Sequence, residues 1–376
     1  MGSICNDLLE CCLSGEEWSA DLLERAIAVE DGRALLSIVV ERLGDLFEPR
    51  LCEVYARLFT EVIERVAPDL GPRVRRARVG PGPPASIDRV YVLSRVTLGA
   101  DVAVTSVMLD AAKRRYPDAE IVFAGPRKSY EMFECDPRIR HLPTPYARAG
   151  SLRDRLRASA SLWIGDGIVI DPDSRLTQLG LISICDDDRY FFFESRSYGG
   201  DENERLPALA ARWARETFGV EDARPFIAPV AAAGEAADVT VSLGVGANPN
   251  KRLGDGFERE LFRILAGRSV LADKGGSGEE RERVERAILP GMRTHEGAFA
   301  PFAAEIARSK LFIGYDSAAG HVASACGVPL ISIFAGAVSE RMFERWRPNG
   351  EVIRGEDANA LEKLRRAILM LCDGRC

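Results

Sequence analysis

Apolar positions along the chain fall first at helical spacing and then in an alternation of helices and strands. Leu22, Leu23, Ala26 and Ile27 share one face of a helix that Ser19 is placed to cap. Leu35, Ile38, Val39 and Leu43 share a face of a second helix, with Asp31 as its candidate cap. A third starts near Pro49 and carries Leu51, Val54, Tyr55, Leu58, Val62 and Val66. Residues 1–70 therefore read as an all-helical extension. Its stripes need cover from one another, from the rest of the chain or from a second copy. The next stretch, GPRVRRARVGPGPPAS (71–86), has no apolar period and reads as a linker whose arginines are solvated or, just before the first strand, form an anion site.

From residue 89 the texture changes. RVYVLS (89–94) and AEIVFAG (119–125) read as strands around a helix over 100–117 that Pro117 stops. GIVID (167–171) and LISIC (181–185) read as further strands, and a helix over 204–219 ends on Gly219. A second series follows: strands at 238–246, 269–276 and 310–315, with helices near 256–265, 278–288 and 298–309. Strands alternating with helices indicate parallel sheets, so two α/β domains are expected, at 87–235 and 236–376.

Composition narrows the class. The 376 residues are 46% apolar and 28% charged, as in ordinary soluble globular proteins. A net charge of -7 argues against nucleic acid as the main partner. No apolar run approaches the ~20 residues of a membrane span, and the first residues lack the features of a signal peptide. Nine cysteines occur without a CxxC pair, which suggests reduced thiols, a cytoplasmic protein and no metal site.

Candidate chemistry gathers where strands end. In DSAAGHVASACGVP (316–329) a polar turn opens a helix of small residues. A helix N-terminus presents unpaired N–H groups and a positive dipole end, which suits phosphate. Ala318, Ala319 and Gly320 leave room for one, and His321 is set to donate to a phosphate or ribose oxygen. The same spacing fits Asp316 or Ser317 as a plain cap and His321 as a packed polar residue. In SRVTLGADVAVTS (94–106), Asp101 falls at a helix start, as a general base for a substrate hydroxyl or as a first-turn residue. LGVGANPNKRLGDGF (243–257) is a loop that sets Lys251 against a diphosphate or is a solvated turn. It lacks both GK[ST] and a complete GxGxxG. In DKGGSGEERERV (273–284), Glu279 or Glu280 is placed for a ribose hydroxyl, although acidic residues in a first turn need no function.

In this order the motifs resemble glycosyltransferase family 9, the ADP-heptose:lipopolysaccharide heptosyltransferase group, over roughly residues 88–376. The family's D-[ST]-G-x-x-H-x-A-[AS]-A-x-G-x-P run is met by Asp316, Ser317, His321, Ala323, Ser324, Ala325, Gly327 and Pro329, with Ala318 where glycine is usual. RRYPDAEIVF (114–123) and HEGAFAPFAAEIARSKLFIG (295–314) follow its phrasing. Gly99, Ala100 and Asp101 stand where the family has adjacent Gly and Asp, and Leu253 and Gly254 where it has Trp and Pro.

The resemblance implies a GT-B fold: two Rossmann-like domains facing a cleft, here with the helical extension added. It implies an inverting, metal-independent glycosyltransferase without a cofactor. A sugar, heptose among the candidates, would pass from a nucleotide diphosphate sugar, an ADP-sugar first, to an acceptor hydroxyl. Asp101 is then the base, and Lys251 the cation that meets the leaving diphosphate. Gly246, Asn248, Glu279, Asp316, Ser317, Ala318, Ala319, Gly320 and His321 are the donor contacts. The acceptor stays open: glycolipid, small molecule or protein. In DDDRYFFFESRSYGGDENERL (186–206), Arg189, Glu194, Arg196 and Tyr198 are candidate acceptor contacts or parts of an edge strand and a solvated loop. The extension has no counterpart in the family and suits a homodimer contact. The departures keep open a nucleotide-sugar-binding protein without catalysis and a GT-B epimerase or hydrolase.

Overall fold

The computed structural model describes the chain except for residues 1, 75–81, 145, 147–149, 246–248, 337, 356–358 and 373–376. Its frame is two parallel sheets. The first contains β1 (Arg89–Leu93), β2 (Glu120–Gly125), β3 (Ile139–Pro143), β4 (Ile168–Asp171) and β5 (Tyr190–Phe192), in the order β3-β2-β1-β4-β5. The second contains β6 (Val239–Ser242), β7 (Val270–Asp273), β8 (Arg293–His295), β9 (Leu311–Tyr315), β10 (Leu330–Phe334) and β11 (Glu351–Arg354), in the order β11-β10-β9-β6-β7-β8. Central strands such as β9 are apolar on both faces and buried throughout, because helices cover both sides of the sheet. Strand order reverses between β1 and β4 and again between β6 and β9. Ligands of open parallel sheets bind at such points, outside the carboxyl ends of the strands.

One expected strand is absent. Ile182 makes only an isolated bridge with Val74, and β5 takes the place of 181–185 in the sheet. Gln178 and Leu179 adopt left-handed backbone, φ 51° and 59°, and the chain turns there. Leu181 and Ile182 then enter the core of the extension instead. The weakly apolar β3 escaped the periodicity reading.

The extension is helical over Gly2–Ser14, Ala20–Ala28, 35–45 and Pro49–Val66. Ser19 caps the second helix, its hydroxyl accepting from the Leu22 N–H at 3.1 Å. Asp31 is not a cap. It lies in a left-handed turn with Glu30, and the next helix starts only after Gly32. That helix contains one wide turn, in which the Glu41 N–H donates to Leu36 O. The stripes are covered within the chain: Leu51, Tyr55, Leu58, Phe59 and Val62 share a core with Leu152, Leu156, Leu179 and Ile182 of the first α/β domain. Tyr55 Oη donates to Gln178 O at 3.1 Å. Arg73 is not solvated linker: its guanidinium donates to the carbonyls of Ala160, Leu162 and Ser183. Among the described residues seven cysteines are free, and no helix is long and apolar enough to cross a membrane.

Gly32 fixes how the extension meets the domain. Its φ is +79°, and a Cβ there would stand 2.5 Å from Leu152 Cβ. Gly32→Ala should therefore lower the unfolding free energy by roughly 2–4 kcal/mol, the sum of a left-handed backbone penalty and overpacking. Denaturant unfolding measures it; an unchanged midpoint would show that the docking is loose.

Candidate functional site

At the switch point of the second sheet, β9 ends on Tyr315, Asp316 follows, and Ser317 stands at the N-cap of the helix Ala318–Ala325. Lys251 arrives from the loop after β6 and donates to Asp316 Oδ2 at 2.6 Å, so one ion pair ties the two loops that flank the switch. Ser317 Oγ is buried and makes no hydrogen bond. His321 is 9% exposed. Burial holds its imidazole pKa below the ordinary value, Asp316 opposing and Lys251 reinforcing the shift. At neutral pH it is an uncharged ring with one N–H to give. These groups line a cavity of about 720 Å³, a size that suits a nucleotide sugar. Thr97, Leu98, Gly99 and Lys128 line its other wall, from the first domain. A Cβ on Gly99 would stand 3.1 Å from the His321 ring and 3.3 Å from Ala318 Cα, so the two domains meet at this point.

A second, smaller cavity of about 190 Å³ lies at the switch point of the first sheet. Arg95 and Val96 follow β1, Asp173 and Arg175 follow β4, and Arg196 follows β5. Asp173 accepts from Arg196 Nε at 3.0 Å and from Ser195 Oγ at 2.8 Å. Burial pushes its pKa up, but Arg196 and Arg95 hold the carboxyl below its ordinary range. The roof is supplied by the extension, through Asp45 and Phe47. Val96, Asp173 and Phe47 have φ of 61°, 71° and 54°. Non-glycine residues in this region cost roughly 1–3 kcal/mol each and gather at functional sites. Asp45, Val96, Thr97, Ala100 and Trp346 line both cavities, so the two adjoin. Trp346 ends the helix Glu340–Trp346, which Arg345 holds to the first domain by donating to the carbonyls of Tyr198 and Gly200.

Several expected site residues are brought together here: Lys251, Asp316, Ser317, Ala318 and His321 share the large cavity, and Arg196 faces the small one. Others are not. Asp101 is fully buried, its carboxylate accepting from Ser94 Oγ at 2.7 Å, the Arg95 N–H at 2.7 Å and Thr105 Oγ1 at 2.8 Å. Burial pushes its pKa up against those hydrogen bonds. It lines neither cavity and acts as the internal anchor of the loop after β1. Ala319 packs in the core, and the open side of Gly320 faces Ser332 and Pro348. Glu279 is exposed and paired with Arg283 at 2.7 Å. Its neighbour Glu280 accepts from the N–H groups of Val245 and Gly276, bracing the loop after β6. Arg189 donates to Gly165 O at the surface, and Tyr198 donates to Glu216, outside both cavities. Gly246 and Asn248 lie outside the described residues. Arg95, Asp173 and Arg175 were missed, although LSR and DPDSR follow apolar strand runs directly, where charge is out of place in a plain turn.

Two Rossmann-type parallel sheets with adjoining cavities at their switch points are a GT-B fold. In sequence, residues 275–371, which hold the Asp316 turn, match the model of glycosyltransferase family 9 (heptosyltransferase). A search of curated proteins returned no match. Among solved structures, the Escherichia coli heptosyltransferase WaaC with ADP-2-deoxy-2-fluoro heptose superposes with a TM-score of 0.55 at 14% identity, over 77% of this chain and 100% of its own. A family 9 glycosyltransferase from Veillonella parvula gives 0.56 at 15%, over 78% and 99%. The E. coli ADP-heptose lipopolysaccharide heptosyltransferase II gives 0.53 at 16%, over 76% and 99%. The chain is thus similar to heptosyltransferases in its fold and to family 9 in its C-terminal sequence.

Asp101→Ala should leave three buried donors without an acceptor and lower stability by about 3 kcal/mol or more. Thermal or denaturant unfolding measures this. A variant as stable as the parent would contradict the anchoring role.

Proposed function

We propose that the protein is an inverting glycosyltransferase that takes its sugar from a nucleotide diphosphate donor. The observation that carries this reading is the turn at 316–321: a lysine–aspartate pair, a buried serine hydroxyl without a partner and a neutral histidine, all at one helix N-terminus. Such a turn suits a diphosphate, whose oxygens can receive the helix N–H groups, Ser317 Oγ and the His321 N–H. Lys251 Nζ then shifts from Asp316 to meet the charge that collects on the leaving diphosphate. Preorganised donors and one cation do this work, so the reading assigns no step to a metal ion. The methyl of Ala318 narrows the floor beside the phosphates relative to the family's glycine.

An ADP-sugar is the favoured donor, because the WaaC relative was solved with an ADP-heptose analogue. The acceptor enters through the smaller cavity, where Arg95, Arg175 and Arg196 stand. Their guanidinium groups favour an acceptor that carries an anionic group beside its hydroxyl. The hydroxyl attacks the anomeric carbon from the side opposite the diphosphate, which inverts that centre. A nucleotide-sugar substrate and free thiols fit work in the cytoplasm. Burial of Asp101, the residue aligned with the family's base, favours one second reading: a protein that binds nucleotide sugars without transferring them.

A thermal-shift series with ADP-, UDP- and GDP-sugars tests the donor. ADP-sugars should stabilise most, by about 2.7 kcal/mol at a hundred times Kd. Lys251→Ala should weaken that binding about 10- to 100-fold, the worth of a charge-assisted contact. No stabilisation by any nucleotide sugar would sink the reading. Tight binding without release of nucleoside diphosphate would select the binding-protein alternative.

A further inference from the structure

The frame requires a group that accepts the proton of the attacking hydroxyl, and Asp101 cannot be that group from its buried, fully hydrogen-bonded position. A replacement must be a carboxylate or imidazole that opens onto both the donor cavity and the acceptor cavity. His321 opens onto the donor cavity and not onto the smaller one, and its ring serves the leaving group. Asp173 opens only onto the smaller cavity, and its carboxylate is engaged by Arg196 and Ser195. Asp316 opens only onto the donor cavity, at the turn that holds the diphosphate. Asp45 is left. It sits at the end of the 35–45 helix of the extension and lines both cavities, at the boundary where they join. Among the described residues its carboxylate has no hydrogen-bonded or ion-paired partner. It therefore has free lone pairs where a hydroxyl passing from one cavity to the other must go.

We infer that Asp45, supplied by the N-terminal extension rather than by either Rossmann domain, is the catalytic base of the transfer, an inference that rests on the donor reading above. The acceptor's O–H bond breaks and its proton goes to an Asp45 carboxylate oxygen. The freed electron pair on oxygen forms the bond to the anomeric carbon. The bond from that carbon to the diphosphate oxygen breaks, and its electron pair leaves on the diphosphate. Asp45 ends protonated and returns the proton to water when products depart. The extension is then part of the enzyme's chemistry and not only a support.

The surroundings of Asp45 suit a base. Burial raises its pKa above the ordinary aspartate value. Arg175 and Arg95, from the loops after β4 and β1, oppose the shift, as does Arg42 on its own helix, while Glu41 reinforces it. A raised pKa makes the ionised carboxylate a stronger proton acceptor. The sign follows: activity needs the ionised form, so the rate falls as pH drops through the raised pKa. The acid limb then stands above the pH range of an ordinary aspartate.

Because the acceptor is unidentified, the probe is water. Nucleoside diphosphate release from the best-binding sugar of the thermal-shift series is followed against pH, in the full-length protein. Asp45→Asn should bind that nucleotide sugar within about twofold of wild type and release its diphosphate at least 100-fold more slowly. It should also lose the acid limb, and Asp45→Glu should restore part of the rate together with that limb. An Asp45→Asn variant that keeps the wild-type rate, or keeps the acid limb unchanged, overturns the assignment and leaves the donor reading standing. So does a rate loss matched by an equal loss of donor affinity, since that marks a positioning role. Wild type that binds the donor and releases no diphosphate, either to water or to any acceptor hydroxyl offered, overturns the transferase reading itself, and the base with it.

Discussion

The site hangs on one aromatic side chain. Trp346 contacts Phe47 of the extension with ring centres 6.3 Å apart, His321 of the 316–321 turn at 5.7 Å and the Arg95 guanidinium at 5.8 Å. These three residues belong to the three parts of the chain. Edge-to-face and cation–π contacts of this kind are worth about 1 kcal/mol each, which is small against the burial that holds either sheet together. Their importance is positional. Without Trp346 the roof over the smaller cavity, the arginine after β1 and the histidine of the 316–321 turn would each rest on a different body.

The architecture was legible because its signal is repetitive. Strand and helix alternation from residue 89 onward follows from burial on both faces of parallel sheets, and Ser19, Pro49 and Gly219 marked helix ends through local chemistry that needs no tertiary context. Asp31 and 181–185 were misread for the opposite reason. Both lie beside left-handed turns, at Glu30 and at Gln178 and Leu179, which no periodicity reveals. The turn at 316–321 was legible because its residues are consecutive. The smaller cavity is lined by Arg95, Asp173, Arg196 and Asp45, which are scattered along the sequence and meet only through topology.

Asp101 stands at its expected place in the sequence and serves the fold. It sits at the start of the helix after β1, as expected, yet the added Ala100 belongs to a turn that draws the carboxylate inward to Ser94 and Thr105. From there it braces Val96, whose left-handed backbone shapes the wall shared by the two cavities. A carboxylate at this place thus orders the loop, and the surface it orders is completed by a different part of the protein.

The contact between Phe47 and Trp346 also has a temporal side. The two residues lie near opposite ends of the chain, and domains tend to fold as units while a chain is being made. A growing chain can complete its helical extension and first sheet, and then most of its second sheet, before Trp346 emerges. Throughout that interval Phe47 has no aromatic partner and the smaller cavity lacks a wall. Partly synthesised chains are therefore expected to be folded but to hold an incomplete cavity.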